Sequence, residues 1–201
     1  MTGQSKFYRR CYYLAGFLLR TVYRFRVIGH ENINEGAGIF CINHSSLMDP
    51  IFLGVALDKN IQIHFIAKIE LFKTPVVSWL VRGLGAISVD RSKADIGTIK
   101  ECLNYLKKGS KIGIFPEGTR AHEDNVESAK QGAIKIAERA KVPIIPVYLP
   151  RRKKLFSKLF IVIGKPYIIE KQNGKRTNAD YDKLTIELME KIQSLKGFAT
   201  S

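Results

Sequence analysis

Cysteine is scarce in this chain: Cys11, Cys41 and Cys102 are the whole complement, far apart and odd in number. No C-x-x-C pair occurs. That argues against a thiolate metal cluster and a disulfide framework, and a reducing compartment is expected. Acid is scarce beside base, with 18 Asp and Glu against 33 Lys and Arg, a formal charge of +15. Long apolar runs are missing too. The uncharged stretch CYYLAGFLL at positions 11–19 is too short for a transmembrane helix, which needs about 20 residues. No A-x-A-like cleavage site follows it, so it is read as part of the mature protein and not as a signal peptide. Internal repeats and low-complexity linkers are absent, and 201 residues with 45% hydrophobic content fit one domain with a proper core.

The excess of base implies an anionic partner: nucleic acid, an anionic bilayer or a phosphorylated substrate. Along the chain, short apolar runs alternate with amphipathic stretches. Strands are expected at 38–43, 63–68, 85–90, 111–115 and 142–149, with an edge strand at 159–166 ended by Pro166. Helices are expected at 74–84, 93–109, 128–140 and 181–195, and another opens at Asp49-Pro50, where Asp is a good N-cap and Pro suits the first turn. The expected fold is therefore α/β: a single domain with a largely parallel central sheet flanked by helices, preceded by an N-terminal amphipathic helix. In such sheets ligands gather where strands run into loops. The two most unusual loops here, 43–49 and 115–121, both follow strands.

On a helical wheel, Lys6, Arg9, Arg10, Arg20 and Arg24 share an arc of about 100° beside a broad apolar and aromatic surface. A helix of this kind can lie in a membrane interface with its basic side chains at the headgroups. It can equally dock on the domain with its stripe in water. Residues 1–24 are assigned to this helix and 25–201 to the main domain. The stretch RRKKLFSKLF at 151–160 repeats the combination of basic and apolar residues, and strengthens the membrane reading.

His44 and Asp49 stand five positions apart on the first loop. A carboxylate holding one ring nitrogen fixes the tautomer and leaves the other as a base. On this segment alone, a capping Asp49 with a locally bonded His44 is the favoured reading. His30, His64 and His122 have no comparable setting. No G-x-S-x-G elbow signals a hydrolase serine. The second loop, GIFPEGTR at 113–120, fails the P-loop pattern: Thr119 and Arg120 stand where Lys and Ser/Thr are needed, and Pro116 removes a donor. Gly118 permits close backbone approach, and Arg120 offers a planar fork suited to phosphate.

Four blocks in order resemble those of the glycerolipid acyltransferases, whose best-known members are the 1-acylglycerol-3-phosphate O-acyltransferases: NHSSLMD at 43–49, GAISVDR at 85–91, FPEGTR at 115–120 and VPIIPV at 142–147. FIAKIEL at 65–71 and VIGKP at 162–166 are family-like as well. Ala121 and Ala129 depart from the family's habits, and both bear on acceptor identity. The resemblance implies that His44, steadied by Asp49, deprotonates an acceptor hydroxyl that attacks an acyl thioester. The expected acceptor is 1-acylglycerol 3-phosphate (lysophosphatidic acid), and the product is phosphatidic acid. Glycerol 3-phosphate and other lyso-lipids remain alternative acceptors. Arg91 and Arg120 would bind the phosphate, with Lys68 as a further contact, while Glu117, Gly118 and Thr119 shape the pocket. Backbone N–H groups near the third block would serve the oxyanion. No metal or resident cofactor is expected; acyl-CoA or acyl carrier protein brings the thioester. The expected partner is a phospholipid surface, with the protein peripheral or monotopic on the cytoplasmic face of the membrane. A non-enzymatic binder of nucleic acid or anionic surfaces is the rival class, but no continuous basic groove or recognition helix supports nucleic acid.

Overall fold

Residues Gly38–Ile42 form strand β2, buried at all five positions. Such a strand needs cover on both faces of its sheet, and the rest of the fold supplies it. The structure, a computed structural model, describes residues 5–90, 96–120, 129–170, 172 and 174–200. Helix α1 (Lys6–Val22) leads into β1 (Arg24–Ile28), β2, α2 (Asp49–Ala56), β3 (Ile63–Lys68), α3 (Pro75–Gly83) and β4 (Ile87–Val89). Then follow α4 (Ile96–Lys107), β5 (Lys111–Ile114), α5 (Gly132–Ala140), β6 (Ile144–Tyr148), β7 (Lys158–Ile163) and α6 (Asn178–Ser194). The seven strands run in the order β1-β7-β6-β2-β5-β3-β4. The five from β6 to β4 are parallel. β7 runs antiparallel to β6, and β1 parallel to β7.

Two expectations are corrected here. The sequence placed an edge strand at 159–166, but β7 is internal, and the edge belongs to β1, which sequence reading did not find. β1 alternates exposed Arg24 and Arg26 with partly buried Phe25, Val27 and Ile28. Arg24, read in the sequence as the last residue of the basic helix, instead opens this strand, because α1 ends at Val22; inward-outward alternation with charge on the open side suits an edge. Asp49 does not cap α2 either. Met48 occupies that position without a side-chain bond, and Asp49 is the first helical residue. Its carboxylate turns back onto the preceding loop.

Strand periodicity divides the core. Phe40, Ile42, Ile145, Val147, Leu159 and Ile161 pack on one face with Leu19 of α1 and Phe52 and Leu53 of α2. Ile39, Cys41, Ile112, Ile144 and Val162 pack on the other with α4, α5 and α6. At about 25 cal/mol per Å² of apolar surface, burial on both faces is the main force holding the sheet. Helix α4 presents Thr98, Cys102 and Leu106 inward, while Ile96 at its start is exposed. Helix α6 begins at a capping box between Thr177 and Asp180.

Helix α1 is docked on the domain through Tyr8, Gly16 and Leu19. Arg9, Arg10 and Arg20 face out, as do Leu14, Phe17 and Leu18. Among the described residues no helix is long and apolar enough to cross a membrane. One position in the sheet has no side chain for a steric reason. A Cβ on Gly113 of β5 would lie 2.3 Å from the Phe65 ring. The bare backbone there lets Phe65 lie flat across the sheet, with consequences for the site above it.

Candidate active site

The loops after β2, β5 and β6 converge at the carboxyl edge of the sheet, where the central strands end side by side. Asn43, the first residue past β2, is buried and bridges to the end of β6. Its Nδ2 donates to the Leu149 carbonyl at 2.8 Å, and Leu149 N–H donates to its Oδ1 at 2.9 Å. An amide side chain does here what the sheet ladder no longer does, and lets the backbone of the next residue leave the plane.

That next residue is His44. Its Nδ1 lies 2.9 Å from Asp49 Oδ2. The same oxygen accepts the backbone N–H groups of Ser45 and Ser46, both at 2.7 Å. The tight turn between histidine and acid is thus wound around the carboxylate. Five residues on one helix would have separated the two side chains; the turn brings them together. With Nδ1 donating to Asp49, the neutral ring carries its lone pair on Nε2. The ring stacks on Phe115, centroids 4.0 Å apart, and Phe115 in turn lies 5.9 Å from Phe65 above Gly113. The imidazole is held by one hydrogen bond and one flat face.

Asp49 has no exposed surface. Burial alone would push its pKa up. Hydrogen bonds from His44 and Lys153, the charge of Lys153 and the Ser46 N–H outweigh burial and hold the carboxyl below its ordinary 3.8. Lys153 Nζ stands 2.9 Å from Asp49 Oδ1 and donates to Ser45 Oγ at 2.8 Å. A second buried pair lies beside the first. Glu117 accepts from the Arg151 guanidinium and, at 3.1 Å, from the His44 backbone N–H. Arg151 also donates to the His44 carbonyl at 3.2 Å. The backbone of the dyad residue is therefore gripped on both its polar groups.

Sequence reading missed Arg151 and Lys153, which it grouped with a surface run at 151–160. In the structure that run alternates: Arg151 and Lys153 turn in, Arg152 and Lys154 turn out. The available signal was an extended i, i+2 pattern straight after a buried strand. Of the residues the sequence named, the structure brings together His44, Asp49 and Glu117. Gly118 sits in the adjoining turn at φ +68°, and its N–H is taken by the Phe115 carbonyl at 3.0 Å. That donor is committed to the turn. Thr119 and Arg120 are exposed just beyond it, and Lys68 is exposed at the carboxyl end of β3. Arg91 lies outside the described residues, as do His122 and Ala121. His64 is buried and its Nδ1 lies 2.8 Å from the Gly85 carbonyl, far along the chain from this cluster. Among the described residues no group of three His, Cys, Asp or Glu is arranged to hold a metal.

An oriented imidazole with Nδ1 held by a carboxylate, over a strand-end turn, suits proton abstraction from a hydroxyl. A family model described as Acyltransferase matches residues 24–150. The 1-acyl-sn-glycerol-3-phosphate acyltransferase of Bacillus subtilis is 35% identical over 147 residues, covering 70% of this chain and 72% of that protein. The chloroplast enzyme of the same name from Arabidopsis thaliana is 30% identical over 131 residues, which is 63% of this chain but only 36% of that longer protein. The crystal structure of the 1-acyl-sn-glycerophosphate acyltransferase of Thermotoga maritima superposes with a TM-score of 0.68 at 28% identity, covering 94% of this chain and 78% of that one. The match takes in both strand-end loops and most of the sheet between them, and on that ground the chain belongs to the acyltransferase family.

Proposed function

We propose that the protein moves a fatty acyl group from an acyl thioester to the free hydroxyl of 1-acylglycerol 3-phosphate, giving phosphatidic acid. The observation that carries this reading is the 2.9 Å contact between His44 and a fully buried Asp49, in a chain related over most of its length to proteins named for that reaction. His44 Nε2 takes the proton of the acceptor hydroxyl as its oxygen attacks the thioester carbonyl. The imidazolium so formed is stabilised by Asp49, which keeps its charge because Lys153 stands on its other oxygen. The tetrahedral intermediate collapses by breaking the carbon–sulfur bond. The departing thiolate, of coenzyme A or of acyl carrier protein, takes up the proton from the ring. The thioester is already activated, so the chemistry calls on no metal and no covalent enzyme intermediate.

Lys68, Arg91 and Arg120 are the proposed phosphate contacts. Glu117, Gly118 and Thr119 shape the turn beside them, Glu117 through its bonds to Arg151 and the His44 backbone. The acceptor is a bilayer lipid, and α1 supports a peripheral position on the cytoplasmic membrane surface, with exposed Leu14, Phe17 and Leu18 among basic residues. The test is to incubate the purified protein with vesicles, a panel of lyso-lipids and glycerol 3-phosphate, and both donor types, followed by mass spectrometry. Phosphatidic acid should appear with 1-acylglycerol 3-phosphate and vanish with His44→Ala. If no acceptor gains a chain, the reading fails.

A further inference from the structure

We propose that the loop tip Leu155–Phe156 docks on an anionic phospholipid bilayer, next to the dyad and through the same short segment that braces it. The proposal rests on the reading above in one respect, that the acceptor is drawn from a bilayer. Phe156 is 75% exposed and Leu155 65%. Phe156 also has φ +59°, in the left-handed region that glycine adopts freely and a bulky L-residue rarely enters. The turn is closed by Ser157, whose N–H and hydroxyl donate to the Lys154 carbonyl at 3.3 and 2.6 Å. A glycine would satisfy this backbone with less strain, yet the position carries a large apolar ring turned to the outside. Strain kept at a surface site points to a use for the side chain.

The surroundings say what the use is. Exposed Arg152, Lys154 and Lys158 flank the tip. The Phe156 N–H donates at 2.8 Å to the carbonyl of Val22, at the end of α1, so the tip is fastened to a helix that itself exposes Phe17, Leu18 and Arg20. On the other side, the Lys153–Ser45 bond joins the segment to the loop that carries exposed Leu47 and Met48 between His44 and Asp49. Apolar side chains ringed by cations match a layer with phosphate at its surface and hydrocarbon beneath. A nucleic acid offers the phosphate without an apolar interior. Because Arg151 and Lys153 point inward from the same segment, a docked tip fixes the dyad at the height of the headgroups, where an acceptor hydroxyl lies.

Phe156→Gly separates the two uses of the ring, since it removes the apolar group and relieves the backbone. Binding of the full chain to phosphatidylglycerol vesicles, measured by sedimentation, should weaken about tenfold or more, while the thermal midpoint stays the same or rises. Phe156→Trp should retain binding. Turnover should fall with acceptor embedded in vesicles and hold with a short-chain acceptor below its aggregation limit. Undiminished vesicle binding by Phe156→Gly overturns the proposal. So does a lowered midpoint with unchanged binding, which would make the ring a packing residue or a contact for a protein partner. Equal binding of the parent chain to phosphatidylcholine overturns the anionic preference. Vesicle binding needs no turnover: if it weakens in a protein that transfers no acyl group, docking stands and the proposed reaction falls.

Discussion

Among the described residues two lysines are turned into the molecule, at opposite edges of the sheet. Lys153, at the carboxyl edge, meets a carboxylate, Asp49 Oδ1 at 2.9 Å. Lys111, at the start of β5, donates among the described residues to neutral oxygens: the Asn34 and Gly36 carbonyls at 2.6 and 2.8 Å and Asn34 Oδ1 at 3.3 Å. Burial pulls the Lys111 pKa down to about 8. Without an anionic partner, its charge is a load on the fold, and its role is to tie the 34–36 loop to the strand. At the other end the charge has work beyond the fold. It keeps Asp49 ionised although that carboxylate is fully buried, and Asp49 in turn holds the ring of His44. The same residue type is a structural tie where the acceptors are neutral and a positioning residue where the acceptor is bonded to a base.

Substitutions can break this contrast. His44→Ala has the largest expected effect, a loss of turnover of about a thousandfold, within the range of general-base contributions; vesicle binding and the thermal midpoint should be retained. Lys153→Met comes next. Leaving Asp49 buried without its cation should cost about 3 kcal/mol of stability, and a displaced dyad about a hundredfold in turnover. Lys153→Arg should restore part of the rate; a loss of stability with unchanged kcat/KM would make Lys153 merely structural. Lys111→Met should cost about 1–3 kcal/mol for the carbonyls left unpaired and leave kcat/KM unchanged at 25 °C. A fall in turnover there would erase the contrast.

The last contrast is in the pH dependence of stability. The folded chain sheds the Lys111 proton near pH 8 and the unfolded chain near 10.5. The unfolded state binds more protons in that window, so this group's contribution makes stability rise with pH across it. Lys111→Met should remove that slope in denaturant titrations. Asp49 acts at the other extreme: its stabilisation is complete above 3.8, its ordinary value, and drains away as pH falls through its depressed folded pKa.

The sequence was most legible where both faces of a strand are covered. Runs such as Ile63–Lys68 and Gly38–Ile42 stand out because little in them has to be polar. It was least legible where charged residues serve two surroundings. Arg24 on β1 looked like the end of a basic helix, and Arg151 and Lys153 looked like part of an exposed basic run. A lysine's letter is the same whether its ammonium meets water or a buried carboxylate; only the tertiary fold decides. The pairing of His44 with Asp49 was legible as a possibility from spacing and resemblance, but the turn wound on Asp49 Oδ2 was not, because backbone N–H donors leave no trace in residue identity.

The vacant position at Gly113 reaches further than the sheet. A methyl group there would collide with Phe65, and Phe65 supports the ring against which His44 rests. The imidazole is thereby immobilised while the chain folds, before any lipid arrives, so each catalytic cycle begins without an orientational search by the base. Acyl transfer to a lipid hydroxyl then starts from one prepared geometry, and that geometry traces back to a missing carbon atom on a neighbouring strand.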